Sequence, residues 1–235
     1  MIRSIALNNR VVMYELTRKR VKNINLRIRN DGTVAVSCNS YVSVARIEAF
    51  LRDRASFILN AIDKSEDRAK NSSRPVMYED GEKVSVFGNK YTLRVLPGAR
   101  RDISVKDNEI VITAPHPDRP EELERIYEGW RRMELKSKVM EMCEEFYPVF
   151  RKMGVGRPEQ IKFRKMTSRW GSCRPTLGTL TFSYNLFETP DEAIEYVVVH
   201  EFAHFIEANH SARFYKIVGE VLPDWKRRRK LLNEY

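Results

Sequence analysis

Apolar and polar residues alternate along the first part of the chain with the two-residue period of half-buried β-strands. The apolar positions of this pattern are Ile24, Leu26, Ile28, Val34 and Val36. Asn30-Asp31-Gly32 interrupts the alternation and favours a tight turn, so the segment is predicted to form a β-hairpin. Residues 76–114 return to strand patterning. Turn signals there stand at Gly88-Asn89, Pro97-Gly98 and Asp107-Asn108.

Apolar residues recur at three- and four-residue spacing in two other stretches, which predicts amphipathic helices. One helix is expected over residues 43–63, and one or two helices are expected from Pro120 to about Met153. Residues 64–75, KSEDRAKNSSRP, are polar and lack periodicity, which predicts a linker or a long loop. No internal repeat or low-complexity tract is evident.

The last third of the chain contains another strand pattern. Apolar residues alternate with polar ones in GTLTFSYNLF, residues 178–187, which predicts a half-buried strand. Residues 161–170, IKFRKMTSRW, are strand-like as well. The stretch from Gly171 to Gly178 is expected to close a hairpin between the two.

A helix with a defined start is predicted after this strand. Thr189 suits the N-cap, Pro190 suits the first helical position, and Glu192 can reach back to complete a capping box. The helix is expected to run from Pro190 to about Ala208.

The order of these elements predicts an α+β fold whose N-terminal half is rich in β-strands. Two domains are expected. Residues 1–116 form a β-rich region with one amphipathic helix and the polar linker, and residues 117–235 carry the hairpin, the capped helix and a C-terminal helix.

The composition, with 42% apolar and 31% charged residues, is that of a folded protein of 235 residues. The net charge of +10 favours an acidic partner, with nucleic acid first, although a solvated positive surface is the simpler explanation. The candidate phosphate contacts are Lys226-Arg227-Arg228-Arg229-Lys230, Arg100-Arg101 and Arg131-Arg132.

No stretch is apolar enough for a signal peptide or a membrane span, so a cytoplasmic protein without membrane association is expected. The three cysteines, Cys38, Cys143 and Cys173, are far apart in sequence and odd in number. They are expected to be reduced thiols.

Three of the four histidines lie in VVVHEFAHFIEANH, residues 197–210. His200 and His204 are four residues apart on the predicted helix, so their imidazoles face the same side and can share one metal ion. Glu201 lies on a neighbouring apolar strip, where a carboxylate is costly unless a cation is close. This pattern predicts a zinc site in which Glu201 accepts a proton from water bound to the metal.

A catalytic zinc site needs a third protein ligand. His210 is preferred, because the chain can double back after the helix and Asn209 tolerates left-handed backbone angles. Glu220 is the rival ligand. Two other interpretations stay open: the histidines are ordinary core residues of a buried helix, or Cys173 closes the site as a fourth ligand and makes the zinc structural.

The assembled motifs resemble those of the YgjP-like metallopeptidases, a family related to the SprT-like and WLM proteases within the zincin group. The resemblance rests on SRWGSC (168–173), TLTFSYNLF (179–187), EYVVVHEFAHFIEANHSARFY (195–215) and Pro223 with the basic helix after it. It implies a zincin-like domain in the C-terminal part of the chain. It also implies one zinc ion bound by His200, His204 and His210, with Glu201 as general base. Metzincins have a glycine where Glu207 stands, which leaves the chain reversal to Asn209.

The leading hypothesis is therefore a zinc-dependent endopeptidase that acts on a peptide or protein substrate. Three residues are candidate donors to the oxyanion of the transition state: Arg169, Arg213 and Tyr215. The alternatives are a metal-dependent hydrolase of a non-peptide substrate, such as a nucleotide phosphoanhydride, and a nucleic-acid-associated protein.

A surface for the substrate is also predicted. The strand through Thr181, Ser183 and Asn185 can pair with an extended peptide along its edge, unless the N-terminal half covers that edge.

Overall fold

A computed structural model describes residues 1–29, 31–71 and 76–235, and it has the expected α+β fold. The chain divides into two compact units, residues 1–73 and residues 74–235. Sequence patterns placed the domain boundary at 116 instead. The difference arises because the strands between residues 83 and 114 share a hydrophobic core with the helices that follow them.

The first unit is a four-stranded sheet followed by two helices. Its strands are β1 (Ile2–Leu7), β2 (Arg10–Arg18), β3 (Asn25–Ile28) and β4 (Val34–Cys38), in the spatial order β1-β2-β4-β3. β2 and β4 are parallel, and the other two pairs are antiparallel hairpins. The predicted hairpin of β3 and β4 is confirmed, although Asn30 in its turn lies outside the described residues.

The helical part of the first unit differs from the single helix predicted over residues 43–63. α1 (Val44–Arg52) is capped by the Ser43 side chain, and α2 (Ala55–Asn71) begins after a two-residue turn. α2 extends through most of the stretch predicted to be a linker at 64–75. Residues 72–75 of that stretch lie outside the described part of the chain.

The second unit begins with another four-stranded sheet, built from β5 (Lys83–Val86), β6 (Asn89–Pro97), β7 (Asp102–Lys106) and β8 (Glu109–Ala114). The predicted turns at Gly88-Asn89, Pro97-Gly98 and Asp107-Asn108 all fall between or at the ends of these strands, which confirms them. The spatial order is β5-β6-β8-β7.

The two sheets have the same topology, although no internal repeat is evident in the sequence. In each sheet two antiparallel hairpins are joined by one parallel pair, β2 with β4 and β6 with β8. The first hairpin of each turns through two residues, and the first of these has a positive φ, 51° at Asn8 and 49° at Phe87. The repeat lies in strand pairing and turn geometry, which a search for recurring residues does not detect.

Most of the second unit follows its sheet. The remaining elements are α3 (Pro120–Lys152), β9 (Gln160–Arg164), β10 (Gly171–Arg174), β11 (Thr179–Ser183), α4 (Asp191–Ala203), α5 (Ala212–Val221) and α6 (Trp225–Leu231). None of the helices in the described ranges combines the length and apolar character that a membrane crossing requires.

β9, β10 and β11 form a three-stranded sheet with β11 in the centre. Two predictions are therefore wrong. Residues 171–178 do not close a hairpin between β9 and β11, because they contain a further strand, β10. β9 and β11 are parallel to each other, and parallel strands need a crossover connection rather than a hairpin turn. The strand predicted up to Phe187 ends at Ser183, and all five residues of this central strand are buried, whereas a half-buried strand was expected.

α4 lies in the middle of the second unit and is braced at its N-terminal end. The turn between β5 and β6 contacts the segment before the helix, with backbone N–H groups of Phe87 and Gly88 donating to the carbonyls of Phe187 (2.8 Å) and Glu188 (3.2 Å). A side chain at position 88 would place its Cβ 3.0 Å from the Cα of Pro190, so glycine permits this approach. The second sheet thereby fixes where α4 begins.

Candidate metal centre

α4 starts without the capping box that the sequence predicted. Its N-cap is Pro190, which makes no side-chain cap hydrogen bond. Thr189 donates its hydroxyl to the carbonyl of Leu186 at 2.8 Å, and Glu192 forms a double hydrogen bond with Arg227. Attachment to neighbouring elements replaces the local cap.

α4 also ends earlier than predicted, at Ala203 rather than at about Ala208, and His204 is its C-cap. The chain then has room to reverse before Ser211, which accepts a hydrogen bond from the N–H of Phe214 and starts α5. Asn209 is not among the described residues with positive φ, so the predicted left-handed turn at this residue is wrong. The early end of the helix makes such a turn unnecessary.

The structure brings His200, His204 and His210 together. One ring nitrogen from each lies within 4.8 Å of the others, and the Nε2 atoms of His200 and His210 are 2.9 Å apart. Nitrogens that share a tetrahedral zinc ion are about 3.4 Å apart, so the cluster fits this ion with small adjustments. Among the described residues this is the one group able to hold a metal, and neither Glu220 nor Cys173 belongs to it.

Neighbouring groups orient two of the imidazoles. The Nδ1 atom of His204 lies 3.1 Å from the carbonyl oxygen of Glu207, to which it can only donate, so its Nε2 keeps a free lone pair. The Nδ1 atom of His200 lies 3.2 Å from the hydroxyl of Tyr196. Such partners fix the ring orientation and tautomer that a metal ligand requires.

Phe214 forms an apolar wall beside the cluster. Its ring centroid lies 4.8 Å from that of His200, 4.6 Å from that of His204 and 4.9 Å from that of His210. The sequence analysis did not single out Phe214 or Tyr196. Tyr196 could have been found, because it lies four residues before His200 on the same helical face.

The imidazoles of His200 and His204 are neutral at pH 7. Burial is the main cause that lowers the pKa of His200 to about 3, and His204 and His210 nearby lower it further. Burial also lowers the pKa of His204. Neutral imidazole is the form that binds a metal ion, so no proton has to be displaced from either ring at pH 7.

Glu201 is 4% exposed, and its Oε2 atom is buried without a hydrogen-bond partner in the described structure. Burial raises the pKa of Glu201 to about 8, while the charge of Arg169 and a backbone hydrogen bond from Cys173 act in the opposite direction. A nearby cation would stabilise the ionised carboxylate. The unpartnered oxygen, on the helix that carries His200, therefore fits a site completed by a metal ion and water.

Gly171 in β10 is a functional position that the sequence analysis did not identify. A Cβ at this residue would lie 2.8 Å from both Cγ and Oε1 of Glu201. Glycine thus allows β10 to lie directly against the carboxylate. Burial and the Glu201 charge raise the pKa of the Cys173 thiol to about 12, so this cysteine is protonated beside the glutamate.

The three candidate oxyanion donors occupy different positions. Arg169 is close enough to Glu201 to influence its pKa. Arg213 is exposed, and its Nε lies 3.9 Å from a carboxylate oxygen of Glu207. Tyr215 stacks on His210, with ring centroids 6.2 Å apart, and its hydroxyl accepts a hydrogen bond from Arg229.

Most of the basic residues proposed to contact phosphate form ion pairs within the protein. Arg227 pairs with Glu192 and Asp224, and Arg228 pairs with Glu195 and Asp224. Three further arginines are paired: Arg101 with Glu122, Arg131 with Glu128 and Glu188, and Arg132 with Glu128. The run at 226–230 therefore anchors α6 to α4, which weakens the case for nucleic-acid binding through these residues.

A buried glutamate and two histidines at the end of one helix, with a third histidine from the segment that follows, fit the arrangement of a metallohydrolase. A profile of the family described as YgjP-like, metallopeptidase domain, matches residues 22–235, and the chain therefore belongs to this family. This confirms the resemblance found in the sequence and identifies the class as metal-dependent peptidases.

Comparison with individual proteins adds little. A search of curated proteins found no match. Among solved structures, the chain is similar to the crystal structure of the metallopeptidase zymogen of Pyrococcus abyssi abylysin, with 23% sequence identity. The alignment covers 40% of this chain and 87% of that one, with a TM-score of 0.35. A likeness of this extent carries no argument about the present chain.

Proposed function

We propose that this protein is a zinc-dependent endopeptidase whose ion is held by His200, His204 and His210. The convergence of three imidazole nitrogens, together with the unpartnered carboxylate oxygen of Glu201 on the helix that carries His200, is the observation that carries the proposal. Membership of a metallopeptidase family supports the peptide bond as the target.

Zinc, when bound, supplies a Lewis acid that makes water more acidic and polarises a carbonyl group. Glu201 accepts the proton of the attacking water at Oε2 and then delivers it to the leaving nitrogen. Burial raises the pKa of Glu201 to about 8, which opposes its ionisation, and a cation held by the three histidines would favour the ionised form that acts as the base. Gly171 keeps β10 out of the space that the carboxylate needs.

Tyr215 is our candidate donor to the oxyanion. Its ring stacks on His210 and lies parallel to Trp225 at 4.6 Å, so its position is well defined. Arg229 donates to the phenol oxygen, which leaves the phenol proton available for an oxyanion. Arg169 acts instead through its charge, by favouring the ionised form of Glu201.

The substrate surface predicted along Thr181, Ser183 and Asn185 is not at a free strand edge, so we propose another location for it. β11 is the central strand of its sheet and has no free edge, whereas β10 is an edge strand within the described structure. β10 also lies against Glu201. We therefore place the extended substrate along β10.

The first test is the zinc content of wild-type protein, His210→Ala and His116→Ala, purified side by side and then dialysed against zinc. His116 is the histidine outside the cluster, so its variant controls for the loss of a histidine. About one zinc per chain is expected in wild type and His116→Ala, and much less in His210→Ala. A folded wild type that takes up no zinc would overturn the proposal.

The second test offers casein and nucleoside triphosphates in parallel to zinc-loaded wild type and Glu201→Gln. Cleavage of casein by wild type alone, abolished by a chelator and restored by zinc, is expected. Hydrolysis of the triphosphates without any cleavage of casein would replace the peptidase with a phosphoanhydride hydrolase.

A further inference from the structure

The sheet of β9, β10 and β11 has a cationic cavity on the face opposite α4. Its volume is about 390 Å³. Five basic side chains line it, and no Asp or Glu is among the described residues around it. The basic residues are Lys162, Arg164, Lys165, Arg169 and Arg174.

Strand register explains why these charges share one face. Lys162 of β9 lies beside Thr181 of β11, which in turn lies beside Ser172 of β10, so the three form a row across the sheet. The residues that alternate with them, such as Phe163 and Leu180, belong to the hydrophobic core. The sheet is therefore apolar towards α4 and cationic on the other side.

The basic residues of the cavity also differ from the other basic regions in how their charges are paired. None of its five basic residues forms an ion pair with the described residues. Arg227 and Arg228, by contrast, are paired with carboxylates on α4. Uncompensated cations in a concave site attract an anionic ligand more strongly than paired ones do.

β10 connects this cavity to the catalytic centre. Gly171 lies against Glu201, whereas Ser172 and Arg174 line the cavity on the opposite face of the same strand. A peptide paired along an edge strand also points its side chains alternately to the two faces. Side chains next to the scissile bond would thus be directed towards the cations.

We infer that this cavity is a specificity site that binds acidic side chains of the polypeptide substrate. The inference rests on the proposed peptidase function. An acidic polypeptide fits better than single-stranded nucleic acid, because binding of the latter usually adds base stacking on aromatic side chains, and none of the described residues that line the cavity is aromatic. The Thr181 and Ser172 hydroxyls can add hydrogen bonds to a carboxylate.

The test measures binding by zinc-loaded Glu201→Gln, so that no ligand is cleaved. Two labelled peptides are compared by fluorescence anisotropy, one of alternating glutamate and threonine and one with glutamine in place of glutamate. The pocket variant adds Lys162→Gln and Arg164→Gln to Glu201→Gln. The control adds Lys106→Gln and Lys230→Gln, which remove the same charge at residues that do not line the cavity.

The acidic peptide is expected to bind at least about tenfold more tightly than the amide peptide, an advantage that salt reduces. The pocket variant should lose most of this preference and the control variant should keep it. Equal binding of the two peptides, or equal losses in the two variants, would overturn the inference. So would tight binding of a thymidine oligonucleotide that the acidic peptide does not displace.

Failure of the peptidase itself has a different signature. Wild-type protein is also given a library of uncharged quenched-fluorescence peptides, whose cleavage does not depend on the cavity. No cleavage of any peptide, together with charge-selective binding, would overturn the peptidase and retain the cavity as an acidic-polypeptide site. Cleavage without charge preference would retain the peptidase and overturn the cavity's role.

Discussion

The two four-stranded sheets of this protein have the same strand order and pairing, yet they have different relations to the rest of the chain. The sheet of β1–β4 packs with α1 and α2 into a core of its own. The sheet of β5–β8 shares a core with α3 and α4, and its first turn touches the residues that precede the histidine helix. Topology alone therefore does not determine whether a sheet supports chemistry. The contacts of one turn distinguish the two.

The largest expected difference between the units concerns catalysis. Glu201→Gln should lower kcat/KM on casein by about 10²–10⁴-fold, because it removes the proposed general base. Glu15→Gln, in β2 of the first unit, removes a carboxylate whose ion pair within the described residues is with exposed Arg29, and it should leave the rate within about twofold. A comparable loss in both variants would contradict the assignment of catalysis to the second unit.

Equivalent cavity-forming substitutions, one in each hydrophobic core, should have different effects on zinc affinity. Leu7 in β1 and Leu93 in β6 are both fully buried, and replacing either by alanine should cost about 2–5 kcal/mol of unfolding free energy. Because the core around Leu93 is continuous with α4, only Leu93→Ala is expected to weaken zinc affinity, measured by competition with a chromogenic chelator. If Leu7→Ala weakened it as much, the independence of the two cores would be refuted.

The units also differ in the pH dependence of their stability, because the second unit contains the buried carboxyl of Glu201 and the described part of the first unit contains no buried Asp or Glu. In metal-free protein the pKa of Glu201 is raised to about 8 from its usual 4.5, so folding stability is lost as the pH rises between these values. Metal-free Glu201→Gln should therefore be more stable than wild type by roughly 3–5 kcal/mol at about pH 9, and equally stable at about pH 4. Urea unfolding at several pH values measures this, and a difference that does not change with pH would rule out the explanation.

The smallest expected effect tests the turn that braces α4. Gly88 and Gly81 both have positive φ, but a Cβ would clash with Pro190 only at position 88 and would meet open space at position 81. Gly81→Ala should cost about 1–2 kcal/mol from backbone strain alone. Gly88→Ala should cost more and should also lower peptidase activity. Equal costs and unchanged activity in both variants would show that the turn does not support the helix.

The sequence predicted local features well. Alternation identified the strands from β3 to β8. The turns between them were predictable as well, because their residues tolerate the backbone angles that turns require. The spacing of His200 and His204 placed two imidazoles on one helical face, and proximity in sequence made His210 a natural third. These predictions depend on residues within about one helical turn or one hairpin of each other.

Features that depend on distant residues were missed. The end of α4 at Ala203, the central position of β11 and the approach of Gly171 to Glu201 are set by contacts between separate elements. Thr189 has the residue type of an N-cap, but the helix has its N-cap at Pro190 and the Thr189 hydroxyl donates to the carbonyl of Leu186 in the preceding turn. The shared topology of the two sheets was also not predicted, because strand order depends on pairing between distant segments and not on local residue types.

Phe214 would couple exchange of the proposed metal ion to the opening of α5. It touches all three imidazoles, and it sits in the first turn of α5, only a few residues after His210. A local opening of this short helix would withdraw one ligand and the wall behind the other two in a single event. The lifetime of the bound ion would then be set by the opening rate of α5, and zinc release would slow in any variant that strengthens the start of that helix.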